Sequence, residues 1–169
     1  DYCWYYWNEA YKLELSEIDS ALKEITNNGE DKLDIVGFDA CLMSTIEVVE
    51  AVAPYSDIMI GSEILEPGNG WDYSFLQLLV DNPTTTPEQL GAKIVDTFVA
   101  QGQTVAESYA LTMLDMRMAE YTIDSINALA ELKDSTSLIS DLEAIRPNSV
   151  HVEPGDSSSA VDLLHLLNS

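Results

Sequence analysis

The chain has 169 residues, 46% of them hydrophobic, which is enough to bury a core and too much for intrinsic disorder. Thirty acids against seven Lys and Arg give a formal net charge of −23, a surface that repels nucleic acid and anionic membranes and favours cationic peptides or calcium. No apolar run approaches the roughly 18–20 residues needed to span a bilayer, two cysteines (Cys3 and Cys41) rule out a disulfide framework, and two histidines (His151 and His165) without a CxxC word argue against a zinc site.

Along the chain, Tyr2, Trp4, Tyr5, Tyr6 and Trp7 crowd the start and predict packing against chain that precedes Asp1, or against a partner. Ser16 reads as a helix N-cap with Glu17 and Asp19 in the first turn; Ile18, Leu22 and Ile25 share one face, and Asn27-Asn28-Gly29 ends the helix. Leu33 to Phe38 reads as a buried strand with Asp39-Ala40-Cys41 at its C-terminal end. Leu42 to Ala53 reads as a helix closed by Pro54, Asp57 to Ser62 as the next strand, and Glu66-Pro67-Gly68-Asn69-Gly70 as a loop. A helix is predicted near Tyr73 to Val80, and another from Pro87, capped by Thr86, to about Ala100. Ser108 to Leu114 reads as a third strand, and Met116 to Leu132 and Ser137 to Ile145 as helices. Pro154 to Ser159 reads as a loop and Ala160 to Leu167 as a largely apolar end segment. Alternating strands and helices predict an α/β fold, a parallel sheet with helices on both faces. Ligands in such sheets sit beyond the carboxyl ends of the strands, which is where this order puts Cys41.

A cysteine between a strand end and a helix start has the context of a nucleophile. The positive end of the helix favours the thiolate, and free amides there can hold an oxyanion during acyl transfer. A histidine within reach would complete the chemistry. The competing reading is a small buried cysteine with a packing role.

The words around Cys41 bear on that choice. Phe38-Asp39-Ala40-Cys41-Leu42-Met43, Glu47-Val48, Gly61-Ser62-Glu63 and Glu66-Pro67-Gly68-Asn69-Gly70-Trp71-Asp72-Tyr73 closely resemble the clostripain-like cysteine peptidases, of the same broad clan as caspases, gingipains and legumain. The resemblance runs on through Asn82-Pro83, Glu88-Gln89-Leu90, Ile94-Val95-Asp96, Ala110-Leu111-Thr112, Leu114-Asp115 and Val161-Asp162-Leu163. It implies a caspase-like sandwich with a mostly parallel central sheet and helices on both faces. It also implies a Cys–His dyad that cleaves peptide bonds, with Cys41 as the catalytic nucleophile. The family's histidine precedes the cysteine by several dozen residues in a His-Gly word, and no histidine precedes Cys41 here. The expectation is therefore one caspase-like peptidase domain without its His-bearing N-terminal portion and with a shortened C-terminus. That is either a maturation product paired with a His-bearing chain of the same precursor or a truncated fragment, inactive alone in both cases. His151 and His165 read as structural or exposed.

The resemblance also implies substrate-binding roles. Asp39 falls in the pocket for the side chain before the scissile bond, where a carboxylate selects Arg or Lys; a turn-capping role is the alternative. Asn69 stands where some relatives carry an acid, Glu63 and Glu66 are candidates to compensate, and Ser62 is expected to help line the cleft. Some relatives depend on calcium, though no loop here has EF-hand spacing. The expected partner is a peptide or protein with basic residues, in a secreted or cell-surface setting. Two other readings stay open: a non-catalytic binding or adhesion domain on the same fold, and a carboxylate-pair hydrolase such as a glycosidase, which no motif supports. A His-Gly word after an apolar strand upstream of Asp1 would favour the peptidase.

Overall fold

The computed structural model describes residues 3–4, 12–105, 110–132 and 135–146. Strands β1 (Cys3–Trp4) and β2 (Lys12–Leu13) pair antiparallel, Cys3 opposite Leu13 and Trp4 opposite Lys12. The side chains of the aromatic N-terminus lie outside the described residues.

Helix α1 (Leu15–Ile25) starts one residue earlier than its expected cap. Glu14, extended at φ −91° and ψ 157°, is the N-cap in place of Ser16, and its backbone N–H donates to the Glu17 carboxylate at 2.8 Å. Ser16 lies inside the helix, where its carbonyl accepts from the Ser20 hydroxyl. Ile18 and Leu22 are buried; Ile25 is exposed. Asn27, Asn28 and Gly29 stop the helix as expected, at φ 52°, 61° and 85°, the left-handed region that Asn and Gly tolerate.

Strand β3 (Leu33–Gly37) and strand β4 (Ser56–Gly61) run parallel, with Leu33 opposite Ser56 and Gly37 opposite Ile60. Helix α2 (Ile46–Val52) joins them. After β4 come a 3-10 turn (Tyr73–Leu76), α3 (Gln77–Asp81) and α4 (Pro87–Val105), before β5 (Thr112–Asp115). Thr86 caps α4 reciprocally with Gln89, as its sequence position implies, and the helix runs five residues beyond Ala100. β5 pairs antiparallel with β4, Thr112 opposite Gly61 and Asp115 opposite Ile58. The parallel expectation thus holds for β3–β4 and not for β5, whose connection leaves and re-enters the sheet at the same edge. Among the described residues the order is β3-β4-β5, so β3, expected to be a buried strand, is an edge strand in which no residue is fully buried.

On one face of β4, Ile58 and Ile60 pack with Trp71, Phe75, Ile94 and Phe98, and Ile35, Leu90 and Leu111 close the cluster. Burying each large side chain contributes about 1.5–3 kcal/mol. Met59 between them points to the other face, α2 packs on β4 and α1 on α2, with Val48 and Val52 fully buried. The result is a mixed α/β layer structure with helices on both faces of the sheet.

The chain divides into two compact units, Asp1–Glu120 and Tyr121–Ser169. The second holds most of α5 (Met116–Leu132) and all of α6 (Ser135–Ile145), close to their expected bounds. The 154–159 loop, the 160–167 segment, His151 and His165 lie outside the described residues. Among those residues no helix is long and apolar enough to cross a membrane.

Candidate active site

The parallel pair β3–β4 sets the site. Past Gly37 the ladder continues for one bond, Phe38 N–H to Ile60 O at 2.9 Å, and the chain then leaves the sheet at Asp39. Residues 41–44 form a turn, and α2 begins only at Ile46 behind its cap Thr45. The expected helix from Leu42 is therefore corrected. Leu42 takes the left-handed conformation at φ 61°, which a helix cannot contain. Cys41 does not sit on a helix N-terminus, and the dipole of the short α2 fades within its own first turn.

Backbone bonds hold this turn. Leu42 N–H donates to Ile64 O at 3.1 Å and Ser44 N–H to Ser62 O at 3.0 Å, stitching 42–44 to the chain beyond β4. These two amides are engaged, so they are not the oxyanion donors that a helix start would have offered. Met43 is buried beneath the turn, and Gly61 lets it close, since a Cβ there would stand 3.0 Å from Ser44 Oγ and 3.1 Å from Met43 O. Cys41 is half-buried and free of any disulfide. Its sulfur accepts the Glu66 backbone N–H at 3.2 Å and lies 3.9 Å from Glu66 O.

Asp39 is exposed at the end of β3, but its carboxylate is held. Oδ1 accepts the Trp71 backbone N–H at 3.1 Å, and Oδ2 accepts the Tyr73 hydroxyl at 2.9 Å. Gly70, at φ 66°, permits that approach, because a Cβ there would stand 2.8 Å from Asp39 Oδ2. The Gln101 side-chain amide donates to Gly70 O at 3.1 Å and ties the loop to α4. Trp71 is rooted in the core cluster, so the loop that grips Asp39 is anchored by buried aromatic surface.

Glu66 is half-buried beside Asp39. Burial pushes its carboxyl up to about 7, the neighbouring Asp39 carboxylate adds to the rise, and the Trp71 indole N–H, 3.4 Å from Oε1, opposes it. Oε2 is buried without a hydrogen-bond partner. The Tyr73 hydroxyl is also raised, chiefly by its bond to Asp39.

The other expected residues are placed differently. Ser62, expected to line the cleft, is fully buried; its hydroxyl donates to Ile64 O at 2.9 Å and accepts Ile64 N–H at 3.1 Å. That is a correction: at the end of a strand buried on both faces, this hydroxyl serves its own turn. Glu63 accepts the Thr112 hydroxyl at 3.1 Å, a contact that exists because β5 enters antiparallel at this edge. Asn69 is exposed on the loop between Gly68 and Gly70. Trp71 and Tyr73, the residues that hold Asp39, were given no role from sequence; the signal for them was the Gly-Trp-Asp-Tyr word at 70–73. Among the described residues no three His, Cys, Asp or Glu side chains gather as a metal-holding group.

Comparison with known proteins gives a consistent picture. The sequence model described as the Clostripain family matches residues 1–168. No curated protein sequence matches the chain. Among solved structures, an inactive zymogen C11 protease from Parabacteroides distasonis is similar at 22% identity and a TM-score of 0.62, over 90% of this chain and 44% of its own. A secreted C11 cysteine protease from Bacteroides thetaiotaomicron, in complex with an irreversible peptide inhibitor, is similar at 15% identity and 0.61, over 94% and 42%. A clostripain from Bacteroides thetaiotaomicron, in complex with the peptide inhibitor BTN-VLTK-AOMK, is similar at 18% identity and 0.53, over 86% and 54%. These are likenesses of fold, and the chain spans about half the length of the structures it matches.

Proposed function

This chain belongs to the clostripain family, and from that premise we propose that it carries the nucleophile of a cysteine endopeptidase that cuts after Arg or Lys. Cys41 is the nucleophile. Its thiolate attacks the carbonyl of the residue before the scissile bond. A histidine from outside these 169 residues takes the thiol proton and returns it to the leaving amine; water then releases the acyl group. The observation that carries this reading is the pairing of a half-buried free thiol with a fixed carboxylate two residues earlier at one sheet edge.

Asp39 gives the specificity. Each of its oxygens accepts one bond from the loop and keeps a lone pair for the substrate, an arrangement suited to guanidinium or ammonium. The charge of −23 draws basic peptides toward the site, with an on-rate that falls as salt rises. A secreted or surface location fits the description of one structural relative as secreted.

In the complete polypeptide, Cys41→Ala is expected to lower turnover of fluorogenic Arg and Lys peptides by at least about 1,000-fold, while Cys3→Ala leaves it within about twofold. Equal activity of Cys41→Ala and wild type would remove Cys41 from the chemistry.

A further inference from the structure

Glu66 touches both halves of the site. Its backbone N–H binds the Cys41 sulfur, and its side chain runs back toward Asp39, with Oε1 on the Trp71 indole and Oε2 buried without a donor. A charged carboxylate beside a second carboxylate is costly to bury; protonated, Glu66 can donate to Asp39, and a cation held by the pair can take the place of that proton. The titratable groups facing Glu66 are Asp39 and Cys41 from the end of β3 and Tyr73 from the 3-10 turn. The exposed Asn69 brings no charge to the loop.

We propose that Glu66 is a second specificity-determining residue of this site: in its protonated form it pairs with Asp39, and it releases that proton to solvent when the two carboxyls take up a basic substrate side chain. The inference rests on the reading of Asp39 as the basic-side-chain pocket. It makes selectivity depend on pH. Below the carboxyl's range, which burial lifts to about 7, the pocket offers one negative charge; above it, two. Recognition of Arg over a neutral residue then strengthens through neutrality, and cation binding near pH 7 is coupled to proton release.

The test uses the complete protein and a pair of fluorogenic peptides that differ only in Arg against norleucine before the cut. Their kcat/KM ratio cancels the pH dependence of the chemical step, which acts on both. The ratio is expected to rise about three- to tenfold from pH 6 to pH 8 in wild type and to stay flat in Glu66→Gln. The same rise in both proteins, or a flat ratio in wild type, would overturn the role of Glu66 and leave the Arg/Lys reading standing. A profile led by acidic or apolar residues before the cut would defeat the Arg/Lys reading itself. A second measurement needs no variant. Benzamidine titrated calorimetrically into wild type at pH 7, in buffers of differing ionisation enthalpy, is expected to release about half a proton per amidine bound; release of none contradicts the proposal.

Discussion

The two halves of the site are held by different forces. The Cys41 turn, 41–44, is fixed through main-chain bonds from Leu42 to Ile64 and from Ser44 to Ser62, over a buried Met43. The acid loop, 66–73, is fixed mostly through side chains: Asp39 on Trp71 N–H and Tyr73 hydroxyl, Gln101 on Gly70 O, and the Trp71 ring in the core. The difference teaches where substitution is tolerated. A turn stitched by backbone tolerates loss of an unpartnered side chain such as Ser44, though not of the sulfur or of the buried Met43. A loop hung on side chains and on one left-handed glycine does not, and Glu66 is where a shift in the loop reaches the sulfur.

The sharpest way to break the comparison is Gly70→Ala. It places a Cβ 2.8 Å from Asp39 Oδ2 at φ 66° and so displaces the carboxylate. KM for Arg and Lys peptides is expected to rise about tenfold or more, while alkylation of Cys41 by iodoacetamide stays within about threefold of wild type. Equal loss of both would show that the halves are one unit.

A smaller effect separates the halves by pH. The Glu66 carboxyl is raised in the folded protein from 4.5 to about 7, so the folded state binds more protons than the unfolded state between those values. Its contribution to stability is complete below about pH 4.5 and is lost as pH rises toward 7. Glu66→Gln is therefore expected to gain melting temperature relative to wild type between pH 5 and pH 8, by roughly a few degrees given that the group is half-exposed. A constant difference across that range would mean that the carboxyl is not displaced.

The smallest effect is expected on the backbone-held side. Ser44 Oγ is buried without a partner, so Ser44→Ala removes a hydroxyl that bonds to nothing and leaves its N–H on Ser62 O. Activity is expected to stay within about twofold and stability within about 0.5 kcal/mol. A loss as large as that of Gly70→Ala would contradict the assignment of this turn to main-chain support.

Much of this was legible in the sequence because the relevant patterns are local. The apolar run of β3, the Thr86–Pro87 start of α4 and the Asn27-Asn28-Gly29 stop each announce themselves over a few residues, and each lies where expected. Cys41 stood out by its place after a strand, and the resemblance to the clostripain-like peptidases gave it and Asp39 their roles. Three features were not legible. Leu42 has good helix propensity, but its left-handed conformation goes with long-range bonds, Leu42 N–H to Ile64 O and Ser44 N–H to Ser62 O. The direction of β5 depends on where a long helical connection returns, which no window of sequence records. The burial of Ser62 and the grip of Trp71 and Tyr73 on Asp39 join residues two to three dozen positions apart or hang on such contacts, and periodicity carries no signal for them.

The most direct test of the central claim, that Cys41 and Asp39 act as nucleophile and cation pocket at one sheet edge, is covalent labelling of the complete protein. Peptidyl chloromethyl ketones ending in Arg, Leu or Asp are compared by inactivation rate, and the adduct is mapped by mass spectrometry. The account expects the adduct on Cys41, with the Arg probe about 100-fold faster than the Leu probe, and that advantage cut to about tenfold or less in Asp39→Asn. An adduct on Cys3 with Cys41 unmodified, or an Asp-ended probe that reacts fastest, would contradict it.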